Sequence, residues 1–242
     1  MPDRRRHRGP HPDDARAFAP EAVRVLREAV ADLCWLYSRG YAQTSSVKLV
    51  GDRYALTDRQ RAAVMRCACS DDAMASRRGH EVAIGDLAGA AVQVDGYNVL
   101  TTVEAALAGG VLLEGRDGCY RDMASMGGRF HWVEETASAV EWIGRVLEAT
   151  GARDIHWLLD RPVSNSGKLA CLLRETAAAR QWPWRVELVV DPDAVLAKGE
   201  AVAATADSAI LDRCGRWVNL GRAVVSRAAP GARVVRLGDH LR

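Results

Sequence analysis

No apolar run in this 242-residue chain reaches the roughly 18 residues a membrane-spanning helix needs, so no helical span is expected. The opening Met1-Pro2-Asp3-Arg4-Arg5-Arg6-His7-Arg8 has no apolar stretch behind it, which argues against a secretion signal and sets a cytoplasmic expectation. The six cysteines are scattered, and the one close pair, Cys67-Ala68-Cys69, has a single intervening residue. Zinc knuckles usually place about two to four residues there, so buried free thiols are expected rather than a metal or a disulfide scaffold. None of His7, His11, His80, His131, His156 and His240 forms a paired metal motif. No serine sits in a nucleophile elbow, which argues against covalent serine hydrolysis. Gly167-Lys168 lacks both the leading glycine and the following Ser or Thr of a P-loop, which disfavours ATP binding.

What is present suits a soluble globular protein: 48% hydrophobic and 26% charged residues, with length for one large domain or two small ones. Net charge is only +2, but residues 1–90 hold 15 Lys and Arg against 12 Asp and Glu, while the remainder is slightly acidic. A mildly basic N-terminal part beside an acidic one permits nucleic-acid binding without requiring it.

Residues 1–17, rich in Arg, Pro and Asp, read as a flexible tail whose Arg4–Arg8 could touch phosphate. From Pro20, apolar residues recur at spacings of three and four (Val23, Leu26, Val30, Leu33) until Gly40. A second helix is expected over Ser45–Val50. Thr57-Asp58-Arg59-Gln60 carries a capping-box signature for a third. Residues 18–75 therefore read as a small all-α domain, compatible with a helix-turn-helix. Its third helix presents Arg59, Arg61 and Arg66; contact with nucleic acid and simple packing are both open. Residues 76–89 read as a linker. From Ala90 strands and helices alternate to the end, which predicts an α/β domain over 90–242 with a mainly parallel sheet.

Three strand-like runs in that domain end in aspartate: Ala91–Val94 before Asp95, Trp157–Leu159 before Asp160, and Val202–Ala206 before Asp207. Open α/β sheets place their sites at the carboxyl edge. Acids converging there without basic partners would suit a hard cation, Mg²⁺ or Mn²⁺, acting on phosphate. An Asp after a strand also serves as a helix cap, so each alone is weak. Asp212 and Glu104 are candidate further acids, and Asp191 and Asp193, after another strand, are alternative candidates for the same edge. Asp117 and Asp122 lie in a polar loop within 109–129. Asn98 could hold a phosphate oxygen or cap a helix. Arg161, Ser164, Asn165 and Lys168 form a donor-rich run ahead of a helix, able to bind phosphate or simply to cap a βα loop.

The steps Asp95-Gly96-Tyr97-Asn98 and Thr205-Ala206-Asp207-Ser208, together with Asp160, resemble the PIN/NYN-like nuclease superfamily over roughly residues 90–240. The whole layout, with its helical N-terminal part, also resembles a family of two-part bacterial and archaeal proteins. The superfamily resemblance implies a three-layer α/β/α sandwich, Mg²⁺ or Mn²⁺, and endonucleolytic cleavage of RNA, structured RNA included. It implies Asp95, Asp160 and Asp207 as metal ligands and catalytic groups, with Asp212 and Glu104 as further acids. Asn98, Arg161, Ser164, Asn165 and Lys168 would position substrate; a homodimer is compatible. Two rival expectations are a non-catalytic RNA-binding or scaffold protein, and a metal-dependent phosphatase or nucleotide hydrolase.

Overall fold

The computed structural model describes residues 7–123 and 130–238. It begins with helices α1 (Asp14–Ala17), α2 (Pro20–Ser38), α3 (Gln43–Arg53), α4 (Asp58–Cys67) and α5 (Asp71–His80). Pro20 takes the first helical turn of α2, whose Leu26, Ala29, Val30 and Leu33 face inward. Thr57 and Gln60 form the expected reciprocal capping box at the start of α4.

After a 3₁₀ turn at Ile84–Asp86 the chain alternates: β1 (Ala91–Asp95), α6 (Gly96–Leu107), β2 (Leu112–Glu114), β3 (Tyr120–Asp122), α7 (Thr136–Thr150), β4 (Asp154–Asp160), α8 (Ser166–Arg180), β5 (Trp184–Val189), α9 (Pro192–Lys198), β6 (Val202–Ala204), α10 (Ser208–Leu211), β7 (Trp217–Val218), α11 (Leu220–Ala228) and β8 (Val234–Arg236). The fold is α/β, with a helical N-terminal region and a five-stranded sheet in the order β5-β4-β1-β6-β7. Every pairing in that sheet is parallel. Its central strands are covered on both faces, hence the near-continuous apolar runs that made them legible. Chain progression moves from β1 outward through β4 to β5, then returns to β1's other side for β6 and β7. The crevice between β1 and β6 is thus the point where the winding reverses.

A second sheet, β3-β2-β8, pairs β2 antiparallel to β3 and parallel to β8. It joins the two regions. Val111, Leu113, Val235 and Leu237 share one apolar cluster with Leu26, Leu33, Val50 and Val64 of the N-terminal helices. Residues 76–89, expected as a linker, hold the last turn of α5 and the 3₁₀ turn, and Val82 N–H donates to the Trp217 carbonyl (2.7 Å).

The flexible-tail expectation for 1–17 is corrected over its described part; residues 1–6, with Arg4–Arg6, lie outside the described residues. Arg8 reaches the buried carboxylate of Glu104 and stacks over Phe130. Asp14 is fully buried and accepts from Arg59 Nε (2.6 Å). Ion pairing in the interior ties this segment down where composition alone suggested solvent.

Candidate functional site

The carboxyl ends of β1, β4 and β6 open into one cleft of about 770 Å³, lined by Asp95, Asp160, Asp193 and Asp207 on the sheet side and by residues of α3–α5 on the other. Gly96 starts α6 immediately after Asp95. A Cβ there would lie 2.4 Å from the Leu159 side chain and 2.9 Å from the Leu158 carbonyl, so only glycine lets the helix begin so close to β4.

Two hydrogen bonds tie the loop after β6 to the end of β1 and the start of α6, and a third closes the loop on itself. Thr205 Oγ1 donates to Asp95 Oδ2 (2.7 Å), Asp207 N–H donates to Thr205 Oγ1 (3.0 Å), and Ala206 N–H donates to Asn98 Oδ1 (2.8 Å). Asp207 Oδ1 caps α10 through the N–H groups of Ala209 and Ile210 (2.8 and 3.3 Å). One hydroxyl thus bridges the two strand-end aspartates, and Asn98 braces the loop between them.

Asp95 is pushed up to about 7, first by burial and then by the charges of Asp207 and Asp193, against the hydrogen bond from Thr205. Burial also raises Asp193, with Asp207 and Asp191 adding to it and Arg213 opposing. Asp160 is raised by burial and by Asp191. Its Oδ1 is buried without a hydrogen-bond partner, as is the hydroxyl of Tyr97 in the same cleft. No ion pair engages Asp95, Asp160, Asp193 or Asp207 among the described residues.

A second acid cluster lies beside the cleft with the opposite character. Asp117 accepts from Arg121 Nη1 (2.9 Å) and Nη2 (2.6 Å) and from Arg77 Nη1 (2.5 Å). Burial alone would raise Asp117, but Arg121 and Arg77 outweigh it and hold the carboxyl down at about 2. Arg121 Nε also donates to the Ala206 carbonyl (2.8 Å), and Arg77 Nη2 to that of Ser208 (3.3 Å). The cluster therefore buttresses the loop that carries Asp207.

Several candidates read from sequence stand elsewhere. Glu104 is not in the cleft: α6 is buried on nearly every face, and the Glu104 carboxylate meets Arg8 and Thr136 Oγ1 (2.5 Å). Asp212 lines the cleft but accepts from Arg77 Nε (2.8 Å), which neutralises it. Arg161 donates to the Leu188 carbonyl (2.9 Å), and Asn165 to that of Phe130 (3.0 Å). Lys168 and Asn165 border a different depression with Trp132, and Ser164 is exposed outside the cleft lining. Asp122, in the polar loop, accepts from Thr101 Oγ1 (2.9 Å), while 124–129 of that loop lie outside the described residues.

The three arginines expected on a nucleic-acid face are likewise engaged internally. Arg59 pairs with Asp14, Arg61 with Asp52 (2.9 Å), and Arg66 donates to the Asp122 carbonyl. On α4 only Asp58 and Met65 are exposed, so the helix packs from several sides instead of presenting a reading face.

Asp193 was a secondary candidate in sequence, and Thr205 and Tyr97 gave no signal of their own beyond neighbouring the motifs. Strand register sets where Asp160 stands relative to Asp95. Asp95 is level with Leu158, so Asp160 lies two residues farther out along β4, about 6–7 Å at strand rise.

The donor chemistry fits a cation that takes few protein ligands. Among the described residues no group of three or more His, Cys, Asp or Glu is arranged to hold a metal ion. Mg²⁺, however, keeps several waters and is commonly held by one or two carboxylates plus substrate phosphate, which Asp95 and Asp207 can supply.

Residues 84–223, more than half of the chain, match the model of the family described as "Domain of unknown function (DUF5616)". Residues 25–80 match that of "Protein of unknown function (DUF434)". Uncharacterized protein MJ0935 of Methanocaldococcus jannaschii is 28% identical over 186 residues, covering 77% of this chain and 88% of the relative. No solved structure matches.

Proposed function

For a chain that belongs to the DUF5616 domain family, whose matched span holds every acid at the strand ends, we propose metal-dependent hydrolysis of phosphodiester bonds in RNA on a PIN-like α/β/α scaffold. One observation carries this reading: carboxylates that make no ion pair among the described residues gather at the winding reversal between β1 and β6, where burial and mutual repulsion already raise Asp95 to about 7. Repelling acids held together by the fold are a poor structural device and a good cation seat. The parallel order β5-β4-β1-β6-β7 supports the PIN-like assignment.

In this reading Asp95 and Asp207 hold Mg²⁺ or Mn²⁺, with Asp193 beside them. The bound ion would neutralise phosphate charge and make a water more acidic. Thr205 keeps Asp95 Oδ2 oriented, and Asn98, whose Oδ1 is taken by Ala206 N–H, has its Nδ2 left to donate to a phosphate oxygen. Asp160, with an unpartnered buried oxygen, is placed to accept from a substrate hydroxyl or water.

A second reading, hydrolysis of a small phosphodiester or nucleotide, is favoured by the internal engagement of Arg59, Arg61 and Arg66, which removes a basic track leading to the cleft. The test is a cleavage screen with RNA, DNA and bis(p-nitrophenyl) phosphate in Mg²⁺ or Mn²⁺. RNA cleavage that falls at least about a hundredfold in Asp95→Asn and Asp207→Asn is expected. Turnover of the small ester without RNA cleavage would select the second reading, and activity equal to wild type in both variants would eliminate the site.

A further inference from the structure

The wall facing the acids is built by the helical region and has a chemistry of its own. Tyr41 lies in the turn between α2 and α3, where Gly40 adopts φ +77° and Tyr41 N–H donates to the Leu36 carbonyl (3.2 Å). Its backbone is pinned, yet the residue is 57% exposed and lines the cleft. Met65, the exposed apolar residue of α4, lines the same wall. Tyr37 stands behind them with its hydroxyl buried and directed to Gln43. On the opposite side the Tyr97 residue is 95% buried, and its hydroxyl has no hydrogen-bond partner.

Aromatic and thioether surface faces solvent inside a polar cleft here, with the Tyr97 hydroxyl and Asp160 Oδ1 left without hydrogen-bond partners across from it. Exposed aromatic side chains receive unpaired bases through stacking, and thioethers pack well on flat rings. Buried polar atoms are normally satisfied, so those left open mark where ligand polar atoms would arrive. The cleft volume of about 770 Å³ is in the range of small-ligand sites.

We propose that the helical region forms a nucleobase-binding wall, in which Tyr41 and Met65 stack an unpaired base of a single-stranded polynucleotide whose phosphate lies at the acidic edge. This rests on the phosphodiesterase reading for the location of the phosphate. It assigns the N-terminal helices a part in substrate binding that needs no basic face: affinity for the base comes from stacking, and the cation at the acids offsets the phosphate.

The test measures binding to the full chain in Ca²⁺ by fluorescence anisotropy, with a labelled single-stranded oligouridylate, an abasic strand of the same length and a duplex. Wild type should prefer the oligouridylate over the abasic strand and the duplex by about tenfold or more. Tyr41→Ala should erase that preference, and Tyr41→Trp should restore it. Tyr41 is exposed, so the alanine variant keeps its fold, which circular dichroism checks. Equal binding of all three probes, binding of none, or an unchanged preference in Tyr41→Ala would overturn the wall. Cleavage is scored separately in Mg²⁺. Base-dependent binding without cleavage upholds the wall and removes the hydrolytic reading, whereas cleavage with no base preference does the reverse.

Discussion

Two groups of aspartates stand on either side of the loop after β6, and their surroundings differ in one respect. Asp117 is clasped by Arg77 and Arg121, and all three are almost fully buried. Asp95, Asp193 and Asp207 have one another and no ion-pair partner among the described residues; Arg213 acts on Asp193 only from a distance. Asp117 is held down at about 2 and acts as a strut; Asp95 is pushed up to about 7, and Asp193 is raised as well. An aspartate's role here follows from whether an arginine from another element reaches it. The paired cluster steadies the loop, through Arg121 on the Ala206 carbonyl and Arg77 on that of Ser208. The unpaired cluster is the part left free to bind.

The largest expected effect tests the strut. Asp117→Asn leaves the buried Arg121 guanidinium without a countercharge and Arg77 with Asp212 alone, and should destabilise the fold by about 3–5 kcal/mol in urea unfolding at neutral pH. A loss under 1 kcal/mol would mean that the two clusters do not differ as described.

The opposite sign is expected across the loop. Asp95 binds its proton more tightly folded than unfolded, so its contribution to stability is present below about pH 4 and is lost as the pH rises through about 7. Asp95→Asn removes that loss: it should stabilise the protein by about 2–4 kcal/mol at pH 8 and by almost nothing near pH 4. Equal stability of the two proteins across the pH range would contradict the unpaired character of Asp95.

Cation binding should sharpen the same contrast. Mg²⁺ or Mn²⁺ at a large excess should raise wild-type stability at pH 8 by about 1–3 kcal/mol, read as an increase in Tm, and Asp95→Asn should abolish most of that increase. An Asp117 variant that still folds should keep it. The smallest effect is a baseline remote from both clusters: Thr57→Ala, which removes the capping box of α4, should cost about 1 kcal/mol and leave the pH and metal responses unchanged.

Elements whose neighbours cover both faces were legible in the sequence. The runs before Asp95 and Asp160 read as buried parallel strands because they are mostly apolar, Gln93 being the one polar residue within Ala91–Val94 and Trp157–Leu159. Thr57-x-x-Gln60 read as a helix start because a cap is satisfied within four residues. Glu104 was misplaced because spacing along α6 says which residues share a face, not what covers it, and Arg8 comes from almost a hundred residues away. A short hairpin within 109–129 and a strand over Arg233–Leu237 were readable, but not that they pair into one sheet. β8 joins β2 from the far end of the chain, and three-residue strands carry little pattern.

By itself the sequence determined the alternation of strands and helices, the aspartates at the strand ends and the helical character of the N-terminal part, because periodicity, caps and turns act over a few residues. The tertiary structure decided which acids share the cleft, which are neutralised by arginine and what faces them. Register set Asp160 two residues beyond Asp95, and long-range ion pairs claimed Glu104, Asp117 and Asp212. The packing of α2–α4 against the second sheet brought Tyr41 and Met65 to the cleft's far wall. Charge pairing and enclosure depend on residues distant in the chain, and no local pattern encodes them.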